Sequence, residues 1–354
     1  MTITWVVAYI DPVKTVLKTN PPMAMPLTMP MTMNDVWDLY REELKRVESQ
    51  IHTDLKSDVQ LIDTISSYLF NSGGKRFRPL LLILASRLAG YEGGGHIELA
   101  SVIELIHTAT LLHDDVLDEA ILRRGNKTAR MLWGNQASIL VGDYLYTKAQ
   151  CNIVSFRNHE INEIVAETTR RMTAGELAQL SVNCDLQITE DEYLEIIGNK
   201  TAALIAASCR IGAILADCPE DRKDNIESFG WNLGIAFQLT DDTLDYVADG
   251  KKLGKSIGKD LQEGKITLPL LSLLQRCSED EANKIEKIVQ LYDFTEENLE
   301  LIVKLMQRYG VIDYSLARAR GYVEKAKKSL LSFKDSMPLQ ALFAVADYVV
   351  DREL

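Results

Sequence analysis

Little in this chain points to covalent or metal cross-linking. Its five cysteines (Cys151, Cys184, Cys209, Cys218 and Cys277) show no CxxC spacing and sit mostly among apolar residues. They read as reduced thiols of a cytosolic protein, not as a disulfide or zinc framework. No uninterrupted apolar run of about twenty residues exists, which argues against a transmembrane helix. No basic stretch offsets the net charge of −12, which argues against nucleic acid as a partner. Alternating β patterns are essentially missing, and no linker-like shift in composition divides the chain. What remains has the make-up of an ordinary soluble globular protein, 46% hydrophobic and 25% charged, long enough to bury a sizeable core.

The pattern is helical almost throughout from Asn34. Asn34 or Asp35 is expected to cap a first helix with the stripe Trp37, Tyr40, Leu44, Val47, Ile51. Further helical runs are expected near 61–70, 78–88, 97–112, 137–156, 162–180, 190–215, 225–246, 267–276, 296–309, 312–333 and 339–350, broken at Gly- and Pro-containing turns. The expected architecture is one all-α bundle over residues 34–354. Residues 1–33, rich in Met and Pro, lack both a basic region before the apolar stretch at Trp5–Ile10 and the Arg-rich pattern of a transit peptide. They are expected to be a disordered extension, or sequence translated from a start codon upstream of Met31 or Met33.

Against this background two clusters stand out, Asp114-Asp115-Val116-Leu117-Asp118 and Asp241-Asp242-Thr243-Leu244-Asp245. Each sets carboxylates at i, i+1 and i+4, so two of them share a helix face roughly 6 Å apart and repel unless a cation lies between them. One such cluster is commonplace on solvated helix faces. Two, each preceded by a strongly apolar run, point their acids into a protein cavity, where unpaired charge is costly. Oxygen-only ligands of this kind suit Mg²⁺, which usually completes its shell with water and substrate phosphates.

Cations accompany the acids. Gly73-Gly74-Lys75-Arg76-Phe77-Arg78-Pro79 offers close backbone amides, a point charge and a planar fork to an anion, although such a segment alone is more often a basic surface turn. Arg123-Arg124-Gly125 follows the first acidic cluster; these arginines could share a ligand with it or simply form internal salt bridges. Lys255, Lys259 and Lys265 follow the second. Acids and cations in this order suit a diphosphate clamped by Mg²⁺ and side chains.

These motifs, with Leu112-His113 ahead of the first cluster, Lys200-Thr201, Phe237-Gln238-Leu239-Thr240 ahead of the second and Gly258-Lys259-Asp260, resemble the motif set of the trans-polyprenyl diphosphate synthases, in order, from about Asn34 to the C-terminus. The wording around Ile106–Leu112 and Val141–Tyr144 most resembles bacterial long-chain members that make quinone side chains, octaprenyl diphosphate synthases among them. The resemblance implies a helical bundle of the isoprenoid synthase type, a prenyltransferase activity, a cytoplasmic homodimer and Mg²⁺ as cofactor. It implies that Asp114 and Asp118 bind metal on an allylic diphosphate with Asp115 in support, and that Asp241 binds a further Mg²⁺ with Asp242 and Asp245 around it. Arg123, Lys200, Lys255 and Lys265 would contact the allylic diphosphate; Lys75, Arg78, His107 and Arg124 would hold isopentenyl diphosphate. Thr201 and Gln238 would lie beside the ionising carbon. A lone helical histidine such as His107 is ordinarily a satisfied core residue, and only its place in the motif raises it.

Ala109 stands five residues before Asp114, about a turn and a half below the metal site. A small residue there leaves a product tunnel open, Leu105 and Leu112 keep it apolar, and Ile153 is the expected floor. The expected product is octaprenyl to decaprenyl, grown from farnesyl diphosphate, with transient membrane contact on release. A shorter geranylgeranyl-type synthase is an alternative. A class I terpene cyclase needs no second substrate site, and a non-catalytic synthase subunit commonly lacks one acidic cluster; a structural or calcium-binding helical protein explains neither the lysines nor their order.

Overall fold

The computed structural model describes residues 31–71, 73–247 and 258–352. Lys255, its neighbours Gly254, Ser256 and Ile257, and residues 1–30 of the expected extension lie outside the described residues. Helix starts follow side-chain caps. Thr32 precedes α1 (Met33–Leu39); its hydroxyl accepts from the Asp35 amide at 3.3 Å and the Asp35 carboxylate accepts from the Thr32 amide at 2.9 Å. This reciprocal box replaces the cap expected at Asn34 or Asp35. It also brings Thr32 and the buried Met33, expected to belong to the extension, into the helical unit.

Then come α2 (Arg41–Asp54), α3 (Gln60–Asn71), α4 (Phe77–Ala89) and α5 (Gly95–Leu117). A two-residue hairpin, β1 (Leu122–Arg123) with β2 (Asn126–Lys127), departs from the expectation of helix alone. Its turn residues Arg124 and Gly125 both have positive φ, 52° and 77°, the conformation that closes a tight hairpin. Next are α6 (Ala129–Phe156, bent at Gly134), α7 (His159–Ser181), α8 (Glu190–Ile197), a π-helical turn (Gly198–Ala202), α9 (Ala203–Leu215) and α10 (Glu220–Leu244). The expected single run over 190–215 is therefore split at residues 198–202. The chain ends with α11 (Lys259–Gln262), α12 (Leu268–Leu274), α13 (Glu279–Gln290), α14 (Glu296–Arg308), α15 (Val311–Ser329) and α16 (Met337–Asp351). Helix α13 was not expected: only Ile285, Ile288 and Val289 of it are buried, and a Ser278–Glu281 capping box starts it.

Helices α4, α5 and α9 make the centre. Leu80–Ala85 of α4 is wholly buried, as is nearly all of α5 from His96 to Leu112, and α9 is buried on most sides. Helix α4 packs on α5 and α9, α9 on α10, α6 on α5, and α15 on α10. Full burial of each Leu or Ile contributes about 1.5–3 kcal/mol relative to exposure. The acidic clusters close α5 and α10, at helix C-termini where the backbone dipole already disfavours negative charge. Cationic partners are required there, and they come from other elements.

Candidate active site

Both acidic clusters border one cavity of about 1730 Å³, large against the roughly 300–1,000 Å³ usual for small-molecule clefts. Its wall includes Asp114 and Asp241, the cations Lys75, Arg78, Arg123, Arg124 and Lys200, and also His107, Ala109, Thr201 and Gln238. The Asp114 carboxylate makes no direct hydrogen bond or ion pair among the described residues, and burial pushes it up to about 6, partly offset by the charge of Lys200. A cavity carboxylate held in this state is poised for a cation.

The other acids are already occupied. Asp115 is buried and turned from the cavity, accepting from Arg123 Nε at 2.7 Å. Asp118 meets Lys265 Nζ at 3.1 Å, and Lys265 also touches Glu263 at 2.7 Å. Burial alone would lower the Lys265 ammonium; Asp118 and Glu263 hold it above its ordinary value. Asp241 pairs with Arg352 Nη2 at 2.7 Å, just past α16. Asp242 accepts from Tyr193 Oη at 2.5 Å and Gln238 Nε2 at 2.6 Å. Asp245 accepts from the Asp260 amide at 3.0 Å. Arg123 and Lys265, expected to face an allylic diphosphate, are therefore in salt bridges with the first cluster. Salt bridging was the other reading left open for the arginines.

On the opposite wall, Lys200 Nζ contacts Glu176 at 2.6 Å and Gln179 at 2.7 Å, and Thr201 Oγ1 donates to Gln238 Oε1 at 2.8 Å. A chain of donors thus runs Thr201 to Gln238 to Asp242.

The basic pocket lies at the start of α4. Arg78 Nη1 stands 3.1 Å from His107 Nε2, both half-buried at the cavity wall. Burial first, and then Arg78, hold the imidazole well below its ordinary pKa, so His107 is neutral and its Nε2 accepts. Lys75 bonds the Tyr348 hydroxyl and lies 5.2 Å and 4.9 Å from the Trp37 and Tyr348 ring centroids. Arg124 bonds the Gly73 carbonyl. Two of these arginines, Arg76 (φ 45°) and Arg124, sit in left-handed backbone, which costs a side-chain residue about 1–2 kcal/mol. Such strain concentrates where function demands it. Arg76 holds Glu104 Oε1 at 3.1 Å and the Phe70 carbonyl at 2.9 Å, which anchors the loop that presents Lys75 and Arg78.

Sequence reasoning missed Glu104, Glu176, Tyr193, Trp37, Tyr348 and Arg352. Only Glu176 left a local signal: Thr169, Thr173 and Glu176 recur at i, i+4 and i+7 along α7 and all line the cavity. Ala109 lines it as well, whereas Leu105, Leu112 and Ile153 are buried in the core and are not among the lining residues. The cavity instead reaches Tyr146, Thr169 and Met172 between α6 and α7.

No three carboxylates or imidazoles converge into a ready-made metal cage among the described residues. The donors fit magnesium nonetheless. They are oxygen-only, the Asp114 carboxylate lacks a direct partner, and Lys265 and Arg352 hold places a metal charge could take; Mg²⁺ bound by one or two carboxylates draws the rest of its shell from phosphate and water.

Known proteins resemble this chain in sequence and fold. The family model described as polyprenyl synthetase matches residues 59–306. The octaprenyl diphosphate synthase of Escherichia coli strain K12 is 39% identical over 323 residues, 91% of this chain and 100% of that protein. The polyprenyl synthase of Caulobacter crescentus CB15, solved complexed with calcium and isoprenyl diphosphate, superposes with a TM-score of 0.87 at 38% identity, covering 92% of this chain and 99% of that one. A decaprenyl diphosphate synthase from Rhodobacter capsulatus gives 0.86 at 37% identity, over 90% and 99%. With the matched region spanning both acidic clusters, the arginine pocket and the Lys200–Thr201 turn, this chain belongs to the polyprenyl synthetase family.

Proposed function

We propose that the protein is a trans-polyprenyl diphosphate synthase that condenses an allylic diphosphate with successive isopentenyl diphosphates into a long all-trans chain for quinone side chains. The observation that carries this reading is the pairing, on one cavity, of two acidic walls with a separate half-buried arginine–histidine pocket. A cyclase would need neither the second acidic wall nor that pocket. Farnesyl diphosphate is the primer we assign. The similarity to octaprenyl and decaprenyl diphosphate synthases supports a long product.

The chemistry follows from charge. Mg²⁺ held by Asp114, Asp118 and Asp241 supplies positive charge to the leaving diphosphate when bound. Lys200 and Lys265, with Arg123 on the cavity wall, would add fixed cations where negative charge grows as the allylic C–O bond breaks. The oxygens of Thr201 and Gln238 face the carbon that becomes positive. Lys75, Arg78 and Arg124 orient the diphosphate of isopentenyl diphosphate, and neutral His107 keeps Arg78 in place without adding a competing charge. The π-bond of isopentenyl diphosphate then forms the new C–C bond, and the proton lost from the adjacent carbon passes to the released diphosphate. The cavity has to exclude water, which would quench the cation.

The cytoplasm is the compartment we assign, and five cysteines without CxxC spacing fit it. No helix of the described residues is long and apolar enough to cross a membrane; transient membrane contact on release fits so apolar a product. A homodimer is supported by exposed apolar side chains, with Leu140 at 66% and Val154 at 65% on α6 and Ile121 and Leu122 at the start of the hairpin.

Purified protein incubated with Mg²⁺, farnesyl diphosphate and labelled isopentenyl diphosphate tests the reading. The expected result is label in a chain of octaprenyl to decaprenyl length after removal of the diphosphate. A cyclic hydrocarbon, or no incorporation at all, overturns it.

A further inference from the structure

Lys200 and Thr201 reach the cavity on the π-helical turn Gly198–Ala202. Such a turn is rare and persists only where its surroundings hold it. Three contacts do so here. Helix α7 approaches so closely that a Cβ built on Gly175 would stand 2.7 Å from the Lys200 amide nitrogen. Helix α10 presses from another side, where a Cβ on Gly234 would stand 2.5 Å from Ala202 Cα. The third contact bridges the two helices. Arg171 of α7 donates from Nε to Asn199 Oδ1 at 2.9 Å, and its guanidinium lies 4.7 Å from the centroid of a Trp231 ring on α10. Trp231 in turn covers Gly198, where an added Cβ would stand 2.8 Å from the indole.

Arg171, Asn199 and Trp231 do not line the cavity. Arg171 and Trp231 instead grip Asn199 and Gly198, the two residues that precede Lys200. We propose that Arg171, Asn199 and Trp231 form a positioning strap for the allylic diphosphate, holding the π turn at the depth where Lys200 Nζ and Thr201 Oγ1 meet the substrate. The inference rests on the prenyl-transfer reading above and adds three residues to it.

The strap has a direction. It acts on the wall that carries Lys200, Thr201 and Gln238, while the arginine–histidine pocket is built on α4, α5 and the hairpin. Loosening it should therefore disturb one substrate and spare the other. Arginine suits the position because one flat guanidinium can lie over an indole and donate in its own plane. Lysine offers a donor without the flat face and should restore part of the function. A plain helix–helix pin would behave otherwise: its loss would lower stability and harm both substrates together.

The test is steady-state kinetics with Mg²⁺, farnesyl diphosphate and isopentenyl diphosphate on the full-length parent, Arg171→Leu, Arg171→Lys and Asn199→Leu, each with its Tm. Losing a hydrogen bond to a charged group should raise the KM for farnesyl diphosphate on the order of tenfold in Arg171→Leu and Asn199→Leu. The KM for isopentenyl diphosphate and the Tm should stay near the parent's, and Arg171→Lys should fall between. An unchanged farnesyl diphosphate KM overturns the strap, as does a joint rise of both KM values with a falling Tm. Should Arg171→Leu fail to fold, Asn199→Leu decides on the same criteria. A parent that does not elongate farnesyl diphosphate overturns the prenyl-transfer reading itself, a separate result.

Discussion

Asp114 and Asp115 are chain neighbours with opposite assignments, and burial direction separates them. Asp115 turns inward onto Arg123, whereas Asp114 faces the cavity with a carboxyl raised by burial to about 6. The sequence marks both acids and cannot tell which points where, because neighbours on a helix differ by about 100° in direction. The same holds for the second cluster, where Asp242 is taken up by Tyr193 and Gln238. Five residues before Asp114, Ala109 lines the cavity and is 2% exposed. Ala109→Tyr should place a ring in the path of the growing chain and shorten the product, read by chromatography of the dephosphorylated prenyl alcohols. An unchanged length would remove Ala109 from the tunnel.

At the scale of elements, helix existence was legible from apolar periodicity, but helix ends and interruptions were not. The π turn at Gly198–Ala202 hides inside a stretch that reads as one helix because tertiary clamps, not local propensity, widen it. Helix α13 escaped for the opposite reason, its single narrow apolar stripe being outnumbered by charge. Its start offers a pH test. Glu281 accepts from the Ser278 amide at 3.0 Å and from Tyr309 Oη at 2.6 Å, and these bonds lower its carboxyl from 4.5 to about 2. A depressed carboxyl stabilises the fold above its ordinary value, and that contribution is lost as pH falls through the folded value. Glu281→Ala should therefore lower the Tm at pH 7, with the gap to the parent narrowing between pH 4.5 and about 2. A gap constant over that window would show that the charge of Glu281 has no part in the effect.

For the whole molecule, the two acidic walls and the family were readable because their motifs are short and contiguous. The partners were not, since Lys75 meets Tyr348 across most of the chain and Asp241 meets Arg352 from a helix far along the sequence. No local pattern announces a contact between the ends of a bundle. The exposed apolar side chains of α6 belong to this scale too: sedimentation should give the mass of two chains, and a monomer at working concentration would leave them unexplained.

The central claim is that Asp114 and Asp241 serve one ionisation from two walls. Single-turnover condensation by Asp114→Asn, Asp241→Asn and the double variant tests it most directly. Residues acting as a unit give non-additive losses. Each single variant should lose roughly 10²–10³-fold, the size seen when one stabilising group is removed from a transition state, and the double variant should lose little more than either. A double loss equal to the product of the two single ones, or a single variant at the parental rate, would contradict the account.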